Sequence, residues 1–266
     1  FLFKFGSAGS DDGQFNGPAG LTINRSGLIY VADRGNKRIQ VFDKTGRFLR
    51  SIGSPGTGDG QPGEPTGVAV DDTFGMVYVA DAGNKRIQKF RTDGSFLLAL
   101  AVPDASAIVI GNTGLHNIAG QGDVYVIDSV NGRVLNIDMV RNYLFSFGSG
   151  GSGDGQFREI AGMGRDEEGN IYTTEVSGSG VQKFHPDGKF ISRRGSEVSV
   201  DVTVDSSGNF YVLEYELGRV AKYSPDGTFL SSFGAPGSGD GQLRTPEGVA
   251  LDAAGNVYVA DFGNAR

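Results

Sequence analysis

"PTGVAVDDTFGMVYVADAGNKRIQKFRTDGSFLLAL", residues 65–100, decides the fold. It holds four short runs of strand-forming residues: GVAVD (67–71), MVYVAD (76–81), RIQKF (86–90) and SFLLAL (95–100). Between them lie DTFG (72–75), AGN (82–84) and TDG (92–94). β-Branched and aromatic side chains fit a pleated, half-buried surface, whereas Gly, Asn and Asp tolerate the backbone angles of tight turns. Runs this short, separated by such turns, read as antiparallel hairpins. No stretch of the chain shows helical spacing of its apolar residues.

The central string YVADAGNKRIQKF (78–90) returns as YVADRGNKRIQVF (30–42) and begins again as YVADFGNAR (258–266). A tyrosine followed after two residues by an acid occurs as Tyr30/Asp33, Tyr78/Asp81, Tyr125/Asp128, Tyr172/Glu175, Tyr211/Glu214 and Tyr258/Asp261. The tyrosines are spaced by 48, 47, 47, 39 and 47 residues. A four-stranded unit of this length cannot bury both faces alone, but radially stacked copies can. Closing the ring also removes exposed sheet edges.

The sequence therefore predicts an all-β, six-bladed β-propeller of four-stranded antiparallel blades, one domain over 1–266. Its units fall at about 18–53, 65–100, 113–148, 160–195, 199–234 and 246–266 plus 1–6. The opening FLFKFG (1–6) aligns with FLRSIG (48–53), so the N-terminus is expected to supply the outer strand of the C-terminal blade. Residues matching 39–47 of the first unit do not follow Arg266, so that blade is expected to be incomplete and the chain to be a module of a longer protein.

The pattern P-x-G-V-A-V-D, G-N-V-Y-V-A-D, N-x-R-I-Q-x-F and G-x-F-L resembles the NHL-repeat family of six-bladed propellers. PEGVALDAAGNVYVADFGNAR (246–266) and PAGLTINRSGLIYVADRGNKRIQVFDKTGRFLRSIG (18–53) carry it most fully. The resemblance implies a rigid recognition module, in bacteria an extracellular or cell-surface sensor or interaction domain, elsewhere a substrate-recruiting one. It also admits enzymes, since a fold does not fix a function.

Lysine and arginine number 24 against 31 aspartates and glutamates, a formal net charge of −7. An acidic surface repels phosphate, so nucleic acid is a poor partner, and the RNA binding of some animal NHL proteins would need a basic upper face. The 44 glycines fit a turn-rich chain rather than a disordered one, because hydrophobic residues still make up 38%. With no cysteine there is neither disulfide nor thiolate chemistry. No apolar run approaches the length of a membrane helix.

The pairs Asp33/Arg38, Asp81/Arg86, Asp128/Arg133 and Asp261/Arg266 recur five residues apart. A feature repeated around the ring belongs to the scaffold, and partly buried ion pairs fix geometry more than they stabilise. The loops GSDDGQF (9–15), GTGDGQP (56–62), GSGDGQF (151–157) and GSGDGQL (237–243) are expected to be turns in which the Asp caps backbone amides. Calcium is the alternative, but a calcium loop alternates several acids and these offer one or two. HPDG (185–188) and SPDG (224–227) read as plain turns.

Two histidines, His116 and His185, cannot build a multi-histidine zinc site. The amidating lyases that resemble this family use such a centre. No nucleophile elbow, zinc-protease motif or phosphate loop is present. Neither a catalytic residue, a metal site nor a cofactor is therefore expected.

Departures from the repeat mark candidate sites. Taking TGLHNI (113–118) as the inner strand of unit 3 puts His116 and Asn117 in the channel. In unit 4 Arg165 replaces an aliphatic residue, and in unit 5 Asp201 replaces a glycine. Gathered at one channel mouth, these four would hold a polar or anionic ligand, with Arg165 as bidentate donor; otherwise Arg165 and Asp201 pair with each other or with water. PDASAIVIGN (103–112) is too apolar for a solvated linker and is expected to plug or pack, form an extra strand, or meet a partner. Glu175, Glu214 and Tyr215 lie in irregular turns of units 4 and 5 and are candidate partner contacts. The favoured reading is a non-enzymatic scaffold binding a protein or polar small molecule at units 3–5. The alternative is a metal-dependent lyase or lactonase-like hydrolase working in the channel.

Overall fold

Each unit folds as its hairpin pattern requires. The computed structural model describes residues 1–103, 105–111, 123–138, 142–178, 180–195 and 198–266. The first sheet is β1 (Pro18–Ile23), β2 (Ile29–Asp33), β3 (Arg38–Phe42) and β4 (Phe48–Ile52); the second is β5 (Pro65–Asp71), β6 (Met76–Asp81), β7 (Arg86–Arg91) and β8 (Phe96–Ala101). The third holds β9 (Ala105–Gly111), β10 (Asp123–Asp128), β11 (Arg133–Asp138) and β12 (Asn142–Phe147). A short parallel pair, β13 (Ser149–Gly150) and β14 (Gln156–Phe157), closes the loop that follows. The fourth sheet is β15 (Ile160–Arg165), β16 (Ile171–Glu175), β17 (Val181–Phe184) and β18 (Phe190–Arg194). The fifth is β19 (Asp201–Val204), β20 (Phe210–Glu214), β21 (Arg219–Tyr223) and β22 (Phe229–Phe233). The last unit contributes only the pair β23 (Gly248–Leu251) and β24 (Val257–Ala260).

Five four-stranded antiparallel blades are thus complete. Their inner strands pack in the order β1, β5, β9, β15, β19, β23 and back to β1. The aromatic that opens each repeat seals the space between blades: Tyr30, Tyr78, Tyr125 and Tyr172 are all at most 2% exposed. Inner strands approach so closely that two of the three P-x-G glycines, Gly20 and Gly248, have no room for a side chain. A Cβ on Gly20 would stand 2.6 Å from the Thr66 carbonyl, and one on Gly248 2.6 Å from that of Ala19.

Two expectations change here. The inner strand of the third blade is β9, not 113–118. Ala105–Gly111 pairs antiparallel with β10, Val109 opposite Tyr125. The apolar run is therefore neither a plug nor a linker but the strand itself, because Ala105 and Ile108 are buried in the inter-blade core. His116 and Asn117 fall outside the described residues.

The N-terminal segment also differs from the expected outer strand, since no ladder joins residues 1–7 to β23 or β24. An outer strand pairs with a third strand, and only Arg266, bonded to Asp261, occupies the place of β3 in this unit. Side-chain packing and a backbone bond from the Phe15 amide to the Ser7 carbonyl (2.8 Å) hold the segment in position. Phe5 packs 4.9 Å from Phe42, as Phe147 packs 4.9 Å from Phe184 at the interface between the third and fourth blades.

Candidate functional site

Call the face bearing the second-to-third-strand turns the upper face. There the recurring Asp and Arg do pair, with Arg Nε to carboxylate distances of 3.0 Å for Arg38–Asp33 and Arg86–Asp81 and 2.8 Å for Arg133–Asp128 and Arg266–Asp261. Each acid does more than hold its arginine. The buried Asp81 carboxylate accepts from the Gly63 amide (2.7 Å), Asn84 Nδ2 (2.9 Å) and Gln88 Nε2 (2.9 Å) as well as Arg86. Asp33 receives the same set from the Asn16 amide, Asn36, Arg38 and Gln40. The motif D-x-x-N-x-R-x-Q is therefore a clasp that seats the preceding inter-blade loop.

The glutamine completes that clasp. The amides of Gly13, Gly60 and Gly155 donate to the side-chain oxygens of Gln40, Gln88 and Gln182 at 2.9, 3.0 and 2.9 Å. Glutamine stands in the third strand of the first, second and fourth units, each preceded by a loop containing Asp-Gly-Gln. The third and fifth units lack such a loop, and there Leu135 and Ala221 fill the position, both buried. Gln88→Leu is expected to cost about 1–2 kcal/mol, because the Gly60 amide and the Asp81 carboxylate each lose a partner. Urea denaturation of the variant measures it, and a midpoint equal to wild type would show that the loop seats itself.

Within the loops the glutamine, not the aspartate, caps the turn. Gln14, Gln61, Gln156 and Gln242 accept from the amides of Asp11, Gly58, Gly153 and Gly239 at 2.9–3.1 Å. Asp12, Asp59, Asp154 and Asp240 are exposed. An amide oxygen three residues on reaches the turn's N–H, which leaves the carboxylate to solvent or to a neighbour such as Lys4, 2.8 Å from Asp240. The HPDG and SPDG turns close as expected, Gly188 to His185 and Gly227 to Ser224.

Glu175 and Glu214 prove to be members of the clasp rather than rim contacts; both are 1% exposed. Glu175 accepts from the Arg158 amide and from Gln182, and Glu214 pairs with Arg219. Their longer side chains replace Asp in the two units whose turns depart from Asn-x-Arg. Tyr215 does lie at the surface, 38% exposed. Val130 at 73% and Leu217 at 42% stand on the same face and were not anticipated. The first unit has Gly35 and Asn36 in the corresponding places, so aligning the turns would have revealed both.

In the channel, Arg165 and Asp201 border a cavity of about 270 Å³ but do not meet. Inner strands run from the upper face to the lower one. Asp201 begins its strand, level with Gly162, whereas Arg165 ends its own, about 10 Å further along at the usual strand rise. Arg165 is fixed at the lower end, donating to the carbonyls of Ile110 (3.0 Å) and Asp166 (3.1 Å). Burial pushes its guanidinium down from the ordinary value, against the nearby Asp166 charge.

Asp201 is a strap between inner strands. Its two oxygens accept from the Val202 amide (2.9 Å) and, across the blade boundary, the Val249 amide (2.8 Å). Burial raises its carboxyl to about 7, and those backbone donors oppose the rise. At the upper end, burial also raises Glu247, which pairs with Arg34 at 3.1 Å. Among the described residues no three His, Asp or Glu side chains gather as a metal site.

The profile of the NHL repeat matches residues 15–42, 63–90 and 243–266. Protein brain tumor of Drosophila melanogaster is 48% identical over 67 residues, covering 25% of this chain and 6% of that protein. The human E3 ubiquitin-protein ligase TRIM32 is 52% identical over 52 residues, 20% of this chain and 8% of that one. The matched stretches thus span less than a tenth of those relatives. Among solved structures, a gluconolactonase from Xanthomonas campestris superposes with a TM-score of 0.69 at 13% identity, covering 93% of this chain and 84% of that one. At that identity the likeness shows the fold alone. The four-stranded antiparallel blades and the radial packing of their inner strands make this chain a β-propeller, and NHL repeats are found in it at 15–42, 63–90 and 243–266.

Proposed function

We propose that this propeller is a protein-recognition platform whose upper face, across units 3–5, receives a partner's apolar side chains. In this reading the ring counts six blades, the last represented by β23 and β24, and neither a cofactor nor a catalytic group is resident. The observation that carries it is the exposure of Val130, Tyr215 and Leu217 on that face. The two units that bear them are those without a preceding Asp-Gly-Gln loop. Removing the loop uncovers the turn, and apolar residues in an uncovered turn, where the first unit has Arg34, Gly35 and Asn36, suit an interface core rimmed by charge. Shared repeats with a ubiquitin-protein ligase, a protein that acts on other proteins, support the same class of partner.

An enzyme working in the channel is the second reading, and Asp201 is the observation in its favour, a carboxyl raised to about 7 beside a cavity. Both its oxygens already serve backbone donors, which favours a structural role.

The test compares capture by wild type, by the triple variant Val130→Asp/Tyr215→Asp/Leu217→Asp, and by Phe74→Ser. Phe74, 40% exposed, lies on the opposite face in the turn between β5 and β6. The triple variant is expected to lose bound proteins at least tenfold while Phe74→Ser retains them. Equal capture by all three would place the interface elsewhere.

A further inference from the structure

One register of the inner strands is aliphatic in every unit but the fourth. Opposite the residue that precedes each second-strand tyrosine stand Ile23, Val70, Ile110, Val204 and Leu251, and in the fourth unit Arg165. Arg165, Ile23, Val70, Ile110 and Leu251 all border the channel cavity of about 270 Å³. A single guanidinium therefore sits in an aliphatic collar at the lower end. One register higher the wall turns more polar, with Thr22 and Thr203. Each inner strand is also paired along one edge only, which leaves the backbone groups of its other edge open.

The guanidinium is held but not neutralised. Nη1 donates to the Ile110 carbonyl (3.0 Å) and Nε to that of Asp166 (3.1 Å), while Nη2 donates to no described residue. The Asp166 carboxylate is engaged elsewhere, by Lys183 Nζ (3.1 Å), Asn170 Nδ2 (2.8 Å) and Tyr172 Oη (3.3 Å). Among the described residues Arg165 therefore has no ion-pair partner, although a charge withdrawn from water is costly unless paired. Its surroundings also restrict the counter-ion. Asp166 and Glu167 already place negative charge nearby, which opposes a dianion and favours a single negative charge. A planar fork with open donors matches the two oxygens of a carboxylate. The collar adds apolar contact, and the more polar wall above it limits the apolar part to a few carbons.

We propose that the lower end of the channel binds a short aliphatic monocarboxylate, its carboxylate paired with Arg165 and its hydrocarbon chain against Ile23, Val70, Ile110 and Leu251. The cavity is smaller than those that hold drug-sized ligands, which suits a molecule of a few carbons. This site is separate from recognition on the upper face and does not depend on it.

The probe is sodium butyrate, titrated into the whole chain at constant ionic strength and followed by methyl chemical shifts, with formate and phosphate in parallel. Butyrate is expected to saturate in the millimolar range, at least about fivefold more tightly than formate because its carbons leave water. The methyls that shift are expected to be those of Ile23, Val70, Ile110 and Leu251, and phosphate should not saturate. Arg165→Leu gives the fourth unit the residue type of its neighbours; it is expected to keep the thermal midpoint and to weaken butyrate at least about tenfold. Arg91→Leu, an exposed arginine of the second blade, should leave binding unchanged. The proposal is overturned if butyrate does not saturate, if it shifts methyls away from the collar, or if phosphate binds as well. Wild-type affinity in a folded Arg165→Leu variant overturns it too.

Discussion

Asp81→Ala is expected to destabilise the fold by about 3–5 kcal/mol, the range for removing one partner of a buried ion pair. In a chain of this size that lowers the thermal midpoint by on the order of 10 °C. The effect exceeds that of an ordinary surface pair because the carboxylate is a hub. Without it, the Gly63 amide, Asn84 and Gln88 lose their acceptor, and Arg86 keeps its charge with only the Gly58 and Gln61 carbonyls beside it. Asp81→Asn should be nearly as costly, since an amide nitrogen would face donors. Chemical denaturation of both variants decides it, and a loss below about 1 kcal/mol for the alanine variant would reduce the clasp to a surface ion pair.

Wild-type stability is expected to fall as pH rises from about 4 to 7, and Asp201→Asn should remove most of that fall, leaving the part that the raised Glu247 contributes with the same sign. The sign follows from Asp201 being raised to about 7 in the folded chain from the ordinary 3.8 of an aspartate. Between those values the unfolded chain has released the proton and the folded one still holds it, so folding weakens with each added pH unit. Below the lower value the contribution is complete; above the upper one it is gone. At about 1.4 kcal/mol per unit the total reaches a few kcal/mol at most, less where channel water reaches the carboxyl. Asp43 and Asp187, held below the ordinary carboxylate range by hydrogen bonds from Thr45 and Lys189, act oppositely but below pH 4, outside the window. Denaturant midpoints at pH 5 and pH 8 for both proteins test this; parallel curves would mean that Asp201 ionises normally.

The architecture was legible because it is written in repetition. Strand identity follows from the alternation around Tyr78, and the acid–arginine pairs are visible at a spacing of five. What the sequence concealed depends on length and direction. In the third unit 11 residues, 112–122, separate the first two strands, where the first unit has five, 24–28. Assuming constant spacing therefore moved the inner strand from 105–111 to 113–118, although AIVI is the more strand-prone run. Arg165 and Asp201 both lie on inner strands, yet one ends its strand and the other begins it, so sharing a strand type did not bring them together. Glu175 and Glu214 looked like surface acids because their turns are irregular, but burial is fixed by the position two residues after the second-strand tyrosine's neighbour, whatever the turn does.

Leu135 and Ala221 have a mechanical corollary. At the boundaries entering the third and fifth blades, apolar contact alone bridges the place where elsewhere a glutamine ties carboxylate to loop. Dispersion forces yield gradually under shear, whereas a charge-linked knot holds until it snaps. Tension along the chain would accordingly part those two softer junctions before the boundaries entering the second and fourth blades, where Gln88 and Gln182 make the tie.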